Sequence, residues 1–571
     1  MLILMKNTTE KYFNEENLKL AYYRVVCWPE RLVKDRFGIN AFGANLDSNC
    51  KNLAEKLREG EYIPQKGFKY YEPKSSGTQR TKTLLFIEDA LVYQAIANVI
   101  ASKVYPQLSE TEDFVYGSVL TPEVAKGELL LEETNPNFFF FKFWKSLYNK
   151  FKNSVIKAIE EDQATYKFET DITGFFDAIP HYNLLSTLST EFGVEDEILD
   201  ILSECFNAWS GTKESSTPGV GIPQGPVPSS FFANLILHPL DKQLMGEAFK
   251  YFRYMDDINI YGYSEDDLLD VLVKIDNYLK GMGLSINSKK TRIQKVDPTK
   301  DETLKSLKRF EILGDEYESN LADIEEITKS LDIDISKNIS ALLDQTSEPL
   351  VEINSDIISD PEAVIEFWEN EIKIVEEELP KLFEEEFGTI WLIDEEKSDD
   401  IEFIKYSTKY GTALRSINEY KKVEANQDLL KYWLFALKKY KWRASNYVIT
   451  LQYYRNNDEL KKGLIDLYAF GKNYECYRYY LVTCLNYNFQ WKDKTLREYF
   501  KMLKEEPSLL VRYAWYNLII KGSNDSQLLS SLKATLSAES SEYLKLMVLA
   551  YWKRDDKREE TMENLINSVG L

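Results

Sequence analysis

Histidine is nearly missing from this 571-residue sequence, which holds only His181 and His238. That scarcity leaves little material for imidazole acid–base chemistry. The five cysteines, Cys27, Cys50, Cys205, Cys476 and Cys484, are odd in number and nowhere spaced as CxxC. Neither a disulfide framework nor a zinc site is indicated. No glycine-rich Walker loop occurs, which removes the P-loop route to phosphate binding. Long apolar runs are lacking too. The opening Met1-Leu2-Ile3-Leu4-Met5 is far shorter than a signal-peptide core, and no later stretch approaches a membrane span. A cytoplasmic protein with no membrane partner is expected.

An excess of basic charge is also missing: the net charge is −23. The imbalance is local. From Glu311 to Glu402 there are 30 Asp and Glu against 5 Lys and Arg, a net of −25, which leaves +2 for the rest of the chain. A near-neutral remainder can still gather lysine and arginine in a groove, whereas the acidic segment repels phosphate backbones. Hydrophobic residues make up 44% and charged residues 29%, as in ordinary globular protein, and the length accommodates about two to four domains.

What the sequence does contain is a pair of aspartates in a telling place. Tyr254-Met255-Asp256-Asp257 lies between Lys250-Tyr251-Phe252-Arg253 and Ile258-Asn259-Ile260-Tyr261. These are short aromatic and β-branched runs that predict a β-hairpin with the aspartates at its turn. Taken alone, Asp-Asp is also an ordinary surface turn. Upstream, Phe168-Glu169-Thr170-Asp171-Ile172-Thr173-Gly174-Phe175-Phe176-Asp177 predicts a strand ending at Asp171, then a turn and a helix beginning near Pro180. Between the two lies Gly221-Ile222-Pro223-Gln224-Gly225-Pro226-Val227-Pro228-Ser229-Ser230, followed by an apolar helical run from Phe231 to Leu237.

In this order the three stretches resemble motifs A, B and C of the reverse transcriptase palm. Nucleotide transfer to a 3′-hydroxyl displaces pyrophosphate in line, and charge builds on both the attacking and the leaving oxygens. Two Mg²⁺ ions about 3.5–4 Å apart clamp such a transition state, held by hard oxygen ligands. Asp171 and Asp256 are the expected shared ligands, with Asp257, the second of the pair, as a further one. The resemblance further implies that Phe176 crowds a ribose 2′-hydroxyl and so selects deoxynucleotides. Gln224 would offer amide donors beside the nucleotide, and Gly225 would allow close backbone approach. Pro228, just before the serine pair, departs from the commoner pattern and puts the backbone path after Gly225 in question.

The resemblance extends on both sides. The stretch from Tyr70 to Lys82 predicts a hairpin with a glycine turn, leading into a helix at Glu88. It looks like the fingers of bacterial reverse transcriptases, with Lys74, Arg80 and Lys82 as candidate triphosphate contacts; solvated loop charges are the other reading. From about Tyr12 to Lys66 the spacing is helical, and from Asn137 to Glu160 the aromatic run including Phe138 to Phe141 reads as a buried helix. Ser264 to Gly281 is an amphipathic helix. Leu284 to Thr291 looks like motif D, whose lysine sits near the leaving pyrophosphate; Lys290 fits, with Lys289 the alternative. Ile312-Leu313-Gly314 is a weak trace of motif E.

Beyond this point the palm pattern stops. From about Leu429 the chain is almost wholly helical, and Tyr447, Tyr480, Tyr513 and Tyr543 each open an apolar run. The steps of 33, 33 and 30 residues suit stacked helix pairs, with a plain bundle as the other reading. Trp433, Trp442, Trp515 and Trp552 suit a core, an interface or a wall for single-stranded nucleic acid. The expected class is α+β: reverse-transcriptase-like fingers and palm over 1–310, with an antiparallel sheet and packed helices. An acidic connector and an all-α HEAT-like repeat domain follow over 311–571, in place of a conventional thumb. This combination resembles the abortive-infection branch of defence-associated bacterial reverse transcriptases. It implies dNTP substrates, untemplated DNA synthesis, a single-stranded DNA product joined to a tyrosine, homo-oligomers and antiphage defence. The alternatives are an RNA-templated reverse transcriptase with a partner RNA, or a helical sensing scaffold with a non-catalytic palm.

Overall fold

The computed structural model describes residues 8–27, 36–74, 76–122, 124, 139–142, 144–213, 215, 217–245, 249–296, 361–387, 398–418 and 420–554. The motif E trace and most of the acidic segment lie outside them. The described residues divide into two compact units, 8–69 with 82–296 and 70–81 with 361–554.

The first unit opens with α1 (Glu15–Cys27), α2 (Arg36–Gly43) and α3 (Leu46–Glu59). In α3 the buried side chains are Cys50, Leu53, Ala54 and Leu57, one helical stripe. Along the chain come the hairpin strands β1 (Phe68–Pro73) and β2 (Gln79–Leu84), whose residues 70–81 belong to the second unit, then the 23-residue α4 (Ile87–Ser109). Every residue from Leu91 to Ala97 in α4 is buried, so this helix is apolar on all sides and the others gather round it, α1 foremost.

The helix expected from Asn137 starts only at Trp144, as α5 (Trp144–Ile156) with one wider turn after it. Ahead of it Phe141 bridges Leu120 as extended chain, and Phe139, Phe140 and Phe141 are all buried. Three consecutive bulky rings cannot share one helix face, whereas an extended chain can bury them on both sides. Phe138 lies outside the described residues.

Next come β3 (Tyr166–Thr170), a single helical turn at Phe175–Ala178, α6 (His181–Thr190), α7 (Asp196–Trp209), α8 (Val227–Leu244), β4 (Lys250–Tyr254), β5 (Asp257–Gly262), α9 (Glu265–Gly281) and β6 (Arg292–Lys295). The sheet order is β4-β5-β3-β6, and every pairing is antiparallel. Helix α9, capped by the Ser264 hydroxyl, packs against β3, β5 and β6 through Leu268, Val271, Ile275 and Leu279. Pro228 falls in the first turn of α8, where its missing amide is not needed, so the departure from the usual motif does not break the helix.

His238 on α8 makes a pH prediction. It is 2% exposed, and neither ring nitrogen has a hydrogen-bond partner among the described residues. Burial first of all pushes its pKa from 6.5 down to about 4. Between these values the unfolded chain binds a proton that the native state refuses, so this contribution to stability is present above pH 6.5 and is lost as pH falls towards 4. Across that window the loss approaches about 3 kcal/mol, at 1.36 kcal/mol per pH unit. His238→Phe is expected to flatten this part of the acid limb in urea melts at pH 7, 6 and 5.

The second unit is helical apart from the hairpin tip. It runs through α10 (Pro361–Phe387), α11 (Ser398–Asn418), α12 (Leu430–Lys439), α13 (Ala444–Leu451), α14 (Asp458–Phe470), α15 (Glu475–Asn488), α16 (Asp493–Glu505), α17 (Leu509–Gly522), α18 (Ser526–Ser537) and α19 (Glu542–Arg554). Helices α11, α13, α15, α17 and α19 pack each against the next in that series, and α12 meets α14 as α16 meets α18 in a second row. Tyr447, Tyr480, Tyr513 and Tyr543 stand on α13, α15, α17 and α19. Trp433, Trp515 and Trp552 are core residues, and Trp442 packs at the edge of that core. Among the described residues no helix is long and apolar enough to cross a membrane.

Candidate active site

Antiparallel pairing gathers the site. Thr170 at the end of β3 stands opposite Ile258, so the next residues out, Asp171 and Asp257, emerge together at one end of the sheet. Tyr254 pairs with Asp257 and closes a two-residue loop of Met255 and Asp256. Loops of this length fit the strand twist best with a left-handed residue, and Met255 takes φ of 57°. A non-glycine residue pays strain there, so the surroundings must hold it.

On the other side the chain after β3 is zipped to residues 284–291. The amide of Thr173 donates to the Ser285 carbonyl and that of Asn287 to the Asp171 carbonyl, each at 2.9 Å. Tight bonds within 287–291 then turn the chain back, and the Thr170 and Thr291 hydroxyls meet at 2.9 Å. The turn delivers Lys290, whose Nζ donates to Asp171 Oδ2 at 2.6 Å. Lys290 is thus the lysine bonded to a carboxylate, and Lys289 contributes its backbone amide to Asn287 Oδ1.

The charges are unbalanced. Protein packed around Asp257 and then the Asp256 carboxylate push the Asp257 pKa up to about 7; Asp171 and Glu169 add to this, and Lys290 opposes it. Asp257 is exposed by surface area, so water screens part of the burial effect and the mutual repulsion of the carboxylates is what persists. Burial alone would lower the Lys290 pKa, but the bond to Asp171 and the surrounding carboxylates raise it.

Among the described residues no three Asp, Glu, His or Cys side chains stand close enough to hold a metal ion as a finished cage. The donor set nevertheless fits a hard divalent cation. Asp171 is 8% exposed, its Oδ2 is taken by a lysine, and its Oδ1 is buried with no hydrogen-bond partner. A buried carboxylate oxygen without a donor, beside two further carboxylates, is a site short of positive charge.

Motif B meets motif A by its backbone. Ile222 donates to the Phe176 carbonyl at 2.9 Å and Gly221 to that of Ile179 at 2.8 Å, while His181 Nε2 lies 2.6 Å from the Gly221 carbonyl. Gly221 and Gly225 take φ of 88° and 137°, which side chains disfavour. Phe175 is buried in the core and Phe176 is half-buried, so the two rings divide their duties. The Gln224 carbonyl accepts from the Thr83 amide at 2.8 Å, which ties this loop to β2.

The basic hairpin residues are not gathered with the carboxylates in one unit. Lys74 and Arg80 belong to the second unit and Lys82 to the first, and Arg80 Nη1 lies 3.7 Å from Glu72. Within the second unit the hairpin tip is tied down, the Tyr71 amide donating to Glu475 Oε1 at 2.5 Å and Gln79 Nε2 to the Asn473 carbonyl at 3.2 Å. Sequence reasoning missed Gly117, Asn234, Asp241 and Arg253, which surround the Met255 turn. The one available signal was a lone arginine inside the apolar strand that precedes the aspartates.

Residues 103–315 match the family described as reverse transcriptase (RNA-dependent DNA polymerase), so the chain carries a reverse transcriptase domain, of the nucleotidyltransferase class. Among curated proteins it is similar to an uncharacterized 91 kDa protein in the cob intron of Schizosaccharomyces pombe, 23% identical over 243 residues. That alignment covers 42% of this chain and spans 26% of the relative's length. Solved structures that resemble it include the telomerase of Candida albicans in complex with a fragment of telomeric RNA, at TM-score 0.31 and 10% identity, covering 63% of each chain. Another is apo telomerase from Candida tropicalis, at TM-score 0.30 and 11% identity, covering 88% of this chain and 74% of the other. Likeness of this degree leaves the architecture to be read from the chain itself.

Proposed function

We propose that the protein is a Mg²⁺-dependent DNA polymerase of reverse transcriptase type that extends DNA from dNTPs. What supports this reading is that Asp171, just past the end of β3, and Asp256 and Asp257, at the turn between β4 and β5, lie at one end of the sheet in a domain matched by the reverse transcriptase family. Asp171 and Asp256, with Asp257, would hold two ions, which supply Lewis-acid stabilisation of the developing phosphoryl charge. Lys290 stands ready to neutralise or protonate a departing oxyanion, and its raised pKa keeps it cationic near neutrality. Gln224 and Gly225 would border the nucleotide, and Lys82 would meet its triphosphate. Phe176 closes the sugar side, so Phe176→Ala is expected to relax discrimination against ribonucleotides by about 10- to 100-fold, measured as the ratio of kcat/KM for a dNTP and its rNTP.

The finer reading is untemplated, protein-primed synthesis by a homo-oligomer in antiphage defence, with α11 to α19 forming a HEAT-like repeat. Its support is the resemblance to the abortive-infection branch, the two rows of stacked helices, and the acidic stretch that follows the palm where a basic thumb would grip duplex. The second reading, RNA-templated synthesis with a partner RNA, draws on the relative named for an intron. Purified protein given Mg²⁺ and single dNTPs, with and without RNase, separates them. Untemplated synthesis yields products indifferent to RNase that stay with the protein after denaturation, and RNA-dictated sequence would sink it. Full phage protection by Asp256→Ala/Asp257→Ala in cells would leave only a sensing scaffold.

A further inference from the structure

The Met255 turn is held from behind by a closed ring of buried polar bonds. Arg253 Nη1 donates to the Met255 carbonyl at 2.8 Å and to Asn234 Oδ1 at 2.9 Å. Asn234 Nδ2 in turn donates to the Gly117 carbonyl at 2.8 Å. Gly117 closes the ring by contact, since a Cβ there would stand 2.6 Å from the Met255 amide nitrogen and 2.8 Å from its Cγ. The rest of the guanidinium is committed as a fork: Nε and Nη2 donate to the two oxygens of Asp241 at 2.7 and 2.6 Å, and the Tyr251 hydroxyl adds a third donor at 2.6 Å. Arg253 and Asp241 are each 1% exposed and Asn234 is 7% exposed. Backbone bonds pin the same strand to the loop carrying Gly117, with Tyr116 donating to the Arg253 carbonyl and Arg253 to that of Phe114.

Three segments distant in sequence therefore converge on one strained residue, whose neighbour is Asp256. The ion pair with Asp241 uses Nε and Nη2, and Nη1 gives its two hydrogens to Asn234 and the Met255 carbonyl, which ties the guanidinium to the turn. We propose that Arg253 is a positioning residue of the active site, fixing the left-handed Met255 turn through Asn234 and Gly117 so that Asp256 meets the cation. Asp241 is the anchor that fixes the guanidinium plane. Lysine cannot replace it, because one ammonium cannot fork to Asp241 and also reach both Asn234 and the turn. This inference rests on the reading of Asp256 as a metal ligand.

The test compares the full-length wild type, Arg253→Met/Asp241→Leu, Arg253→Lys and Asn234→Ser. The double variant removes both buried charges together, an exchange that cores commonly tolerate. Hydrogen–deuterium exchange over residues 253–260, Mn²⁺ titration followed by electron paramagnetic resonance, and steady-state incorporation are read on each. In the double variant and in Arg253→Lys we expect exchange at the turn to rise about tenfold and Mn²⁺ affinity to fall about tenfold. A kcat loss of about 10²-fold with KM for dNTP within about twofold should accompany this, as for a displaced catalytic group. Asn234→Ser keeps the ion pair and should show the same changes at smaller size, which preserves the test if the double variant does not fold. Unchanged exchange and Mn²⁺ affinity in a folded variant overturn the proposal. Faster exchange at the turn, with a wild type that binds no Mn²⁺, upholds the brace and instead removes the metal-ligand reading.

Discussion

Asp171→Asn is expected to abolish DNA synthesis, by on the order of 10³-fold or more, while leaving the fold nearly unchanged. An amide of the same shape removes the charge that would bind a cation, and loss of that electrostatic stabilisation is worth several kcal/mol of barrier. The structural cost is small because the partner left behind is Lys290, whose side chain is 63% exposed and which water can solvate. A melting curve displaced by no more than about 1 kcal/mol, beside a dead enzyme, is the expected pair of results. Asp256→Asn should behave alike. If Asp171→Asn keeps its activity, the palm is not the seat of any metal-assisted chemistry.

The largest effect on stability is expected in the second unit, at Glu506. Its Oε2 accepts from the Tyr468 hydroxyl and from Arg478 Nη1, and its Oε1 accepts from the Ser508 amide at 2.9 Å. The Glu506 side chain is 1% exposed and that of Arg478 9%. Glu506→Ala strands a buried guanidinium whose Nε already has no hydrogen-bond partner among the described residues. Breaking such a pair from one side costs about 3–5 kcal/mol, far more than a surface bridge. Urea unfolding followed by tryptophan emission should show this as a lower midpoint, since Trp515 donates to the Tyr468 hydroxyl at 3.1 Å. Glu506→Ala/Arg478→Met, which removes both charges, should recover most of the loss. A single variant as stable as the wild type would show that this network contributes nothing.

Much of the site was legible because its chemistry dictates residue type. Carboxylates at a strand end and in a hairpin turn, glycines at positive φ and a proline in the first turn of α8 are local features, and a linear pattern records them. Lys290 and Lys289 could not be separated by spacing, because the choice depends on which way the turn over 287–291 points. The run from Phe139 to Phe141 misled for a related reason: burial was read correctly, but hydrophobicity alone does not distinguish a buried helix from a buried extended chain. Arg253 stayed hidden because its network runs through Asn234 and Asp241 on a helix and, by way of Asn234, to Gly117 far upstream, and no local pattern links them. The same holds for residues 70–81, whose attachment through Tyr71 to Glu475 joins positions about four hundred apart.

The ladder between β3 and β5 carries a consequence for biosynthesis. Residues Tyr166 to Thr170 leave the ribosome long before their partners Ile258 to Gly262 exist, about ninety residues later. Closing so long a loop is entropically affordable but slow, since non-local strand pairing delays folding more than it weakens the product. A nascent chain therefore cannot bring its two carboxylate-bearing segments together until the last palm strands are made.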